Sequence, residues 1–143
     1  MKLVIATPTE IAVEDEVRYV RAEDASGAFG IEPGHADFLT ALTVCVLRWI
    51  DHQKREHYAA VRGGVLRVRG GIVVEVATRE AVRDDDLGHL IHEVLAAMTK
   101  SADAEQSARA DALKLEQAAI RRIYRYLRPG DRPFEANPAK RIP

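Results

Sequence analysis

Five histidines and one cysteine are the side chains of this 143-residue chain whose types suggest chemistry at neutral pH. His35 lies in the glycine-rich stretch SGAFGIEPGHADFLTAL, residues 26–42. Its ordinary pKa is near neutrality, so acid–base work is conceivable. Catalysis would also need a partnered nucleophile or metal in a pocket, and no such constellation is legible. The sequence therefore favours a hydrogen-bonding, structural histidine. His89 and His92 are three residues apart beside Glu93, a spacing that can present two metal ligands on one helix; with no cysteine nearby, a solvated helix face is the simpler reading. His52 and His57 flank a charged hairpin tip. Cys45, within the apolar run TVCVLRWI, reads as a small buried residue. GAFG could belong to a phosphate cradle, but no G-x-x-x-x-G-K-[ST] follows it. The two RGG triplets sit between β-rich runs, where glycine pairs make turns, and carry no RNA signal.

Composition sets the frame for these residues. Hydrophobic residues are 47% and charged residues 30%, which predicts one packed globular core. The 21 basic and 22 acidic residues nearly cancel, so the chain as a whole offers no electrostatic footprint for nucleic acid or anionic lipid. No run approaches the roughly 20 apolar residues of a membrane span, and the opening MKLVIATPTE is too short in apolar residues for a secretion signal. These features predict a soluble, cytoplasmic chain that docks on other proteins without inserting into a membrane. No cofactor and no metal are expected.

The elements that position the glycine segment are legible from periodicity. KLVIAT, EVRYVRA, TVCVLRWI, EHYAAV, VLRVR and IVVEVAT are rich in Val and Ile, and turn residues separate them at intervals of about 8 to 12 residues. This predicts an antiparallel β-sandwich over residues 1–83. At Asp84–Asp86 the character changes: Leu87, Leu90, Ile91, Val94, Leu95 and Met98 form a helical stripe with acidic residues at its start. Lys100–Asp103 reads as an interruption, and Ala108, Ala112, Leu115, Ala119, Ile123 and Tyr126 form a second stripe. The expected α+β architecture is thus a β-sandwich followed by a two-helix antiparallel hairpin over 84–127. Its alanine seam would bury little area and open readily. Residues 128–143 hold four of the six prolines and read as a flexible basic tail.

One charge cluster stands out. From Gln117 onward, Arg121, Arg122, Arg125, Arg128, Arg132, Lys140 and Arg141 face only Asp131 and Glu135, seven basic residues against two acidic. Such residues suit the C-terminal end of a helix dipole, and they also suit docking on an acidic surface.

The order of β-runs, then GAFGIEPGHADFLTAL, RGGVLRV and VATREAVRDDDL before two helical stretches, resembles the epsilon subunit of F-type ATP synthases. In that family a G-x-x-G-[ILV]-x-P-G-H-x-x-[FL]-[LV]-T-x-L segment lies in the N-terminal sandwich. Thr43-Val44 stand where the family has part of a Lys-Pro-Gly turn, and Arg62 stands where it has a serine. ALTVCVLRWI, ATREAVRDDDLGHL and LEQAAIRRI look closer to the epsilon chain of the alternate, sodium-pumping branch. The resemblance implies a non-catalytic rotor component at the cytoplasmic face of the membrane, peripheral and held within the ATPase complex. It implies that Gly30, Ile31, Glu32, Pro33, Gly34 and His35 lie near the gamma subunit and the membrane c-ring. It also implies that Arg121, Arg122, Arg125 and Arg128 form a regulatory basic helix meeting the catalytic beta subunits. DLGHLIHEV lacks the L-D-x-x-R-A element of members that bind ATP, so nucleotide binding is not implied. A stand-alone sandwich that self-associates through Leu90, Ile91, Val94 and Leu95 is the competing expectation.

Overall fold

The computed structural model describes residues 1–127. Arg128 and the expected flexible tail, 128–143, lie outside the described residues. Seven strands, β1 (Lys2–Ala6), β2 (Ile11–Asp24), β3 (Gly27–Ile31), β4 (Phe38–Asp51), β5 (Glu56–Arg69), β6 (Val73–Ala77) and β7 (Ala81–Arg83), are followed by helical segments. Pairing runs β1-β6-β5-β4-β2-β3, β7 adds to β5, and β1 also pairs with β2. Five strands therefore close on themselves while β3 and β7 extend one layer. All pairs are antiparallel except β1 with β6, which is parallel.

Three 14-residue strands, β2, β4 and β5, serve both layers, each pairing with different neighbours along its length. The sequence reading breaks β5 into two runs at Gly63-Gly64; instead the pair is a bend inside one strand. Gly64 has φ +116°, and a Cβ there would lie 2.0 Å from the Ala77 carbonyl oxygen, so only glycine lets the strand change layers at this point. A bulge between Val17 and Tyr19 explains why the inward residues Val17 and Val20 are three apart in β2 and not two.

The core lies between the layers and includes Leu3, Ile5, Val13, Val17, Val20, Ile31, Leu47, Trp49, Val61, Leu66, Val68 and Val74, with Cys45 buried among them. The Trp49 indole N–H donates to Asp15 at 3.0 Å, and Asp15 also accepts from Arg83, whose guanidinium sits 5.2 Å from the Trp49 ring. Burying the largest side chain of the core is compatible with its polar atom because that atom finds a carboxylate at the rim.

After β7 the chain enters α1 (Leu87–His89), a π-helical turn (Leu90–Leu95) and α2 (Ala96–Leu127). Asp86 is the N-cap, accepting from the His89 amide at 3.1 Å, as the acidic run predicts. The apolar stripe meets a second cluster on the outer face of the sandwich. Leu90 and Met98 are buried against Ala60, Val44, Val46, Tyr58 and Val82, with Val94 half-buried beside them. Leu90 is therefore covered by its own sandwich, which removes it from the self-association surface expected for a stand-alone module.

The expected turn at Lys100–Asp103 is absent, because α2 runs through it as one helix. Lys, Ser, Ala and Asp each cost only tenths of a kcal/mol in a helix interior, and no glycine or proline breaks the backbone hydrogen bonds. The chain divides into two compact units, Met1–Asp103 and Ala104–Pro143. In the second unit Leu115 and Ile123 of the second stripe are exposed, as are Leu113, Ile120 and Leu127 elsewhere on the helix.

Candidate functional site: a braced glycine loop

The glycine segment forms an outward loop whose shape is fixed from two sides. Gly30 and Ile31 end β3, and Glu32–His35 make a tight turn in which the His35 amide donates to the Glu32 carbonyl at 3.1 Å. Ile31 is wholly buried, so it anchors the loop from beneath instead of facing outward with its neighbours. Glu32, Pro33 and Gly34 are exposed and His35 is half-buried. The His35 Nδ1 lies 2.7 Å from the Ala36 carbonyl oxygen. A carbonyl can only accept, so Nδ1 carries the hydrogen and the tautomer is fixed. The His35 ring meets Phe38 edge-on at 5.8 Å, and Phe38 meets Phe29 at 5.5 Å, which gives the loop an aromatic underside.

The second side is the turn at Gly70-Gly71, which the sequence reading did not connect with this loop. The Gly34 amide donates to the Gly71 carbonyl at 2.9 Å, and the Gly70 amide donates to the Asp37 carboxylate at 2.8 Å. A Cβ on Gly71 would lie 2.6 Å from the Gly34 Cα. Two backbones thus touch directly, and each holds the other's turn. At the base, Asp24 accepts from the Thr40 hydroxyl at 2.8 Å and from the Ser26 amide at 2.8 Å. The Ser26 hydroxyl first, then Thr40, hold its carboxyl below the usual carboxylate range.

Tyr19 is the residue that sequence reasoning missed. It lines an open cleft of about 380 Å³ together with Gly30, Glu32, Pro33, Gly34 and His35. A Cβ on Gly30 would meet the Tyr19 hydroxyl oxygen at 2.6 Å, so the tyrosine lies flat against glycine backbone. Alternation along β2 could have marked Tyr19 as outward-facing; its placement beside Gly30 follows only from the β2–β3 pairing. The cleft is open and walled largely by loop backbone, so what it presents is a shaped surface.

A separate exposed feature lies on the outer face of the β1–β6–β5 layer. Val4, Ala6, Leu39, Val65, Val76 and Ala77 line an apolar cleft of about 450 Å³, with Arg67 and Glu75 at its rim. Leu39 is 67% exposed there, and exposed apolar area of this kind marks a contact surface. Arg67 and Arg69 both reach Glu75, at 2.7 Å each, and the Arg67 contact above all keeps its carboxyl below the usual range.

The two histidine pairs separate once placed. His57 flanks the hairpin tip as expected, and it also stacks on Trp49 at 5.7 Å and contacts Asp51 at 2.9 Å, which ties it into a folded network. Asp51 also accepts from the Arg55 side chain and from the Gln53 and Arg55 amides; its carboxyl is held far below the usual range, most of all by His57. His89 contacts Asp84 and Glu93, whereas His92 is exposed. Among the described residues no group of three or more His, Cys, Asp or Glu is placed to hold a metal ion, and no helix is long and apolar enough to cross a membrane. Arg121, Arg122 and Arg125 lie on α2 and are exposed.

Comparison with known proteins agrees with this architecture. Residues 1–84 match the family described as ATP synthase, Delta/Epsilon chain, beta-sandwich domain. The chain is 42% identical over 130 residues to ATP synthase epsilon chain 2 of Paraburkholderia xenovorans, covering 90% of this chain and 94% of the relative. It is 43% identical over 129 residues to ATP synthase epsilon chain 2 of Cereibacter sphaeroides, covering 89% and 88%. Among solved structures, a chain of the Euglena gracilis mitochondrial ATP synthase shares the fold with TM-score 0.56 at 24% identity, over 76% of this chain and 62% of that one. With the sandwich matched throughout and the relatives aligned well into α2, the chain belongs to the epsilon-chain family of F-type ATP synthases.

Proposed function

We propose that the chain is a non-catalytic rotor component of the central stalk, with its sandwich gripping a gamma subunit and the Glu32–His35 turn resting between gamma and the membrane c-ring. The parent machine makes or spends ATP while moving ions across a membrane, and the chain sits peripherally at its cytoplasmic face. The resemblance of ALTVCVLRWI and LEQAAIRRI to the alternate branch supports a sodium-translocating parent.

The observation that carries this reading is the bracing of the loop. A contact that transmits torque must not yield under load, and Gly34 is bonded backbone-to-backbone to Gly71 while Ile31 and the Phe29–Phe38 pair fix it from beneath. The apolar cleft around Leu39 and Val65 supplies a further surface for a partner chain. Solved neighbours of the same fold include a central stalk with c-ring of the Tetrahymena thermophila mitochondrial ATP synthase and a Euglena gracilis assembly that contains a c-ring.

For α2 we infer a regulatory role: an extended helix carries Arg121, Arg122 and Arg125 to acidic surface on the catalytic beta subunits and restrains hydrolysis. The alternative state folds the helix back at Lys100–Asp103. What supports it is the long exposed basic and apolar helix; folded back, its alanine-rich face would bury little area, so a few kcal/mol of differential contact would decide between states. Co-expression with a gamma chain from the same source tests the rotor reading. Co-purification at equal stoichiometry is expected, and its absence would overturn the proposal.

A further inference from the structure

The junction between the sandwich and its first helical turns is built from carboxylates facing imidazoles. Asp84 follows β7, and its amide donates to the Tyr58 carbonyl of β5 at 3.2 Å, which ties it to the sheet. Its carboxylate lies 2.7 Å from Nδ1 of His89 in α1. The other ring nitrogen of the same histidine, Nε2, lies 3.1 Å from Glu93, one turn further on. Asp86, the N-cap, also bears on His89 through its charge and through the amide it accepts. Alongside, His57 Nε2 contacts Asp51 at 2.9 Å, and its Nδ1 points toward Asp85 at 3.9 Å.

An ionised carboxylate only accepts hydrogen bonds, and a neutral imidazole has a single N–H. Two carboxylates, one on each nitrogen of His89, are therefore both satisfied only by the doubly protonated ring. Directly after this contact the chain makes its π-helical turn and buries Leu90 and then Met98 against Ala60. π-helical turns are uncommon and are found most often at functional sites. We propose that Asp84, His89 and Glu93 form an acid-tightened clasp that holds residues 87–98 on the sandwich and slackens as the surroundings become alkaline.

The sign follows from the charges. The Asp84 contact above all, and Glu93 after it, raise the His89 pKa above 6.5, so the clasp's contribution is complete below that value and is lost as pH rises through the raised one. The Asp86 amide, then His89, lower the Asp84 pKa below 3.8, so acid removes the contribution only beneath that value. The working window thus runs from the carboxylate range up to the raised His89 pKa, above which the clasp loses its charge. A consequence for ATP hydrolysis rests on the function proposed above; the clasp itself does not, and it is read in the full chain without partners.

Amide hydrogen exchange of residues 90–98, corrected for intrinsic rates, is to be followed from pH 5.5 to 8.5. Protection is expected to fall about threefold, the scale of exposed charge pairs. The His89→Gln chain should lose this dependence, and the His57→Gln chain should keep it. A flat wild-type profile overturns the proposal, as does a dependence that survives His89→Gln or vanishes with His57→Gln. Should His89→Gln fail to fold, Asp84→Asn serves with NMR titration of the His89 ring. A midpoint that moves down toward 6.5 sustains the clasp, and an unmoved midpoint overturns it.

Discussion

Gly34 and Gly71 are joined backbone to backbone, the amide of the first donating to the carbonyl of the second at 2.9 Å. Only one of the two positions is closed to a side chain by its surroundings. Gly71 has φ +67°, and a Cβ there would sit 2.6 Å from the Gly34 Cα, whereas a Cβ on Gly34, at φ +86°, would meet nothing within 4 Å. Gly34→Ala is therefore expected to cost about 1 kcal/mol from backbone strain alone, and Gly71→Ala at least about twice that because two backbones must also separate. Urea denaturation of the two variants checks the order; equal losses would show that the contact yields easily.

Leu90 and Ile91 are neighbours with opposite roles. Leu90 is fully buried against the sandwich and Ile91 is 42% exposed. Leu90→Ala should remove about 3 kcal/mol of local stability and detach the first helical turns, while Ile91→Ala should change little. Protease cleavage between residues 84 and 103 reads the difference, and similar rates for the two variants would contradict the docking.

Asp51 makes the sandwich sensitive to acid. Its pKa is lowered, so the stability it contributes is present above 3.8 and is lost as pH falls through the lower, folded value. Asp51→Asn should flatten the loss of stability between about pH 4 and pH 2, at the cost of a lower plateau near neutrality. Thermal melting across that range is the measurement, and parallel profiles for the two chains would remove Asp51 from the account.

Arg121, Arg122 and Arg125 bear on the regulatory reading. If their charges dock α2 on the catalytic subunits, replacing all three with alanine should raise ATP hydrolysis by the assembled complex about threefold or more, with stronger relief at low salt. Unchanged hydrolysis in a complex that retains the variant chain would sink the regulatory proposal while leaving the rotor reading intact.

The sequence by itself determined the order of elements, the β-sandwich, the helix start within Asp84–Asp86 and the family, because these rest on local periodicity, on capping and on a contiguous motif. Only the tertiary structure decided which distant residues meet. Gly71 against Gly34, Tyr19 against Gly30 and His57 against Trp49 come from strand register, which no local pattern states. Burial of Ile31 and Leu90 was decided the same way, since alternation marks a residue as inward or outward only relative to layers that must first assemble. Gly63-Gly64 reads locally as a turn and becomes a bend within β5 because β4 pairs with the strand on both sides of it, while β7 pairs before it and β6 after it. At Lys100–Asp103 the polar residues look like a break, but nothing in them prevents helical hydrogen bonding, and α2 continues.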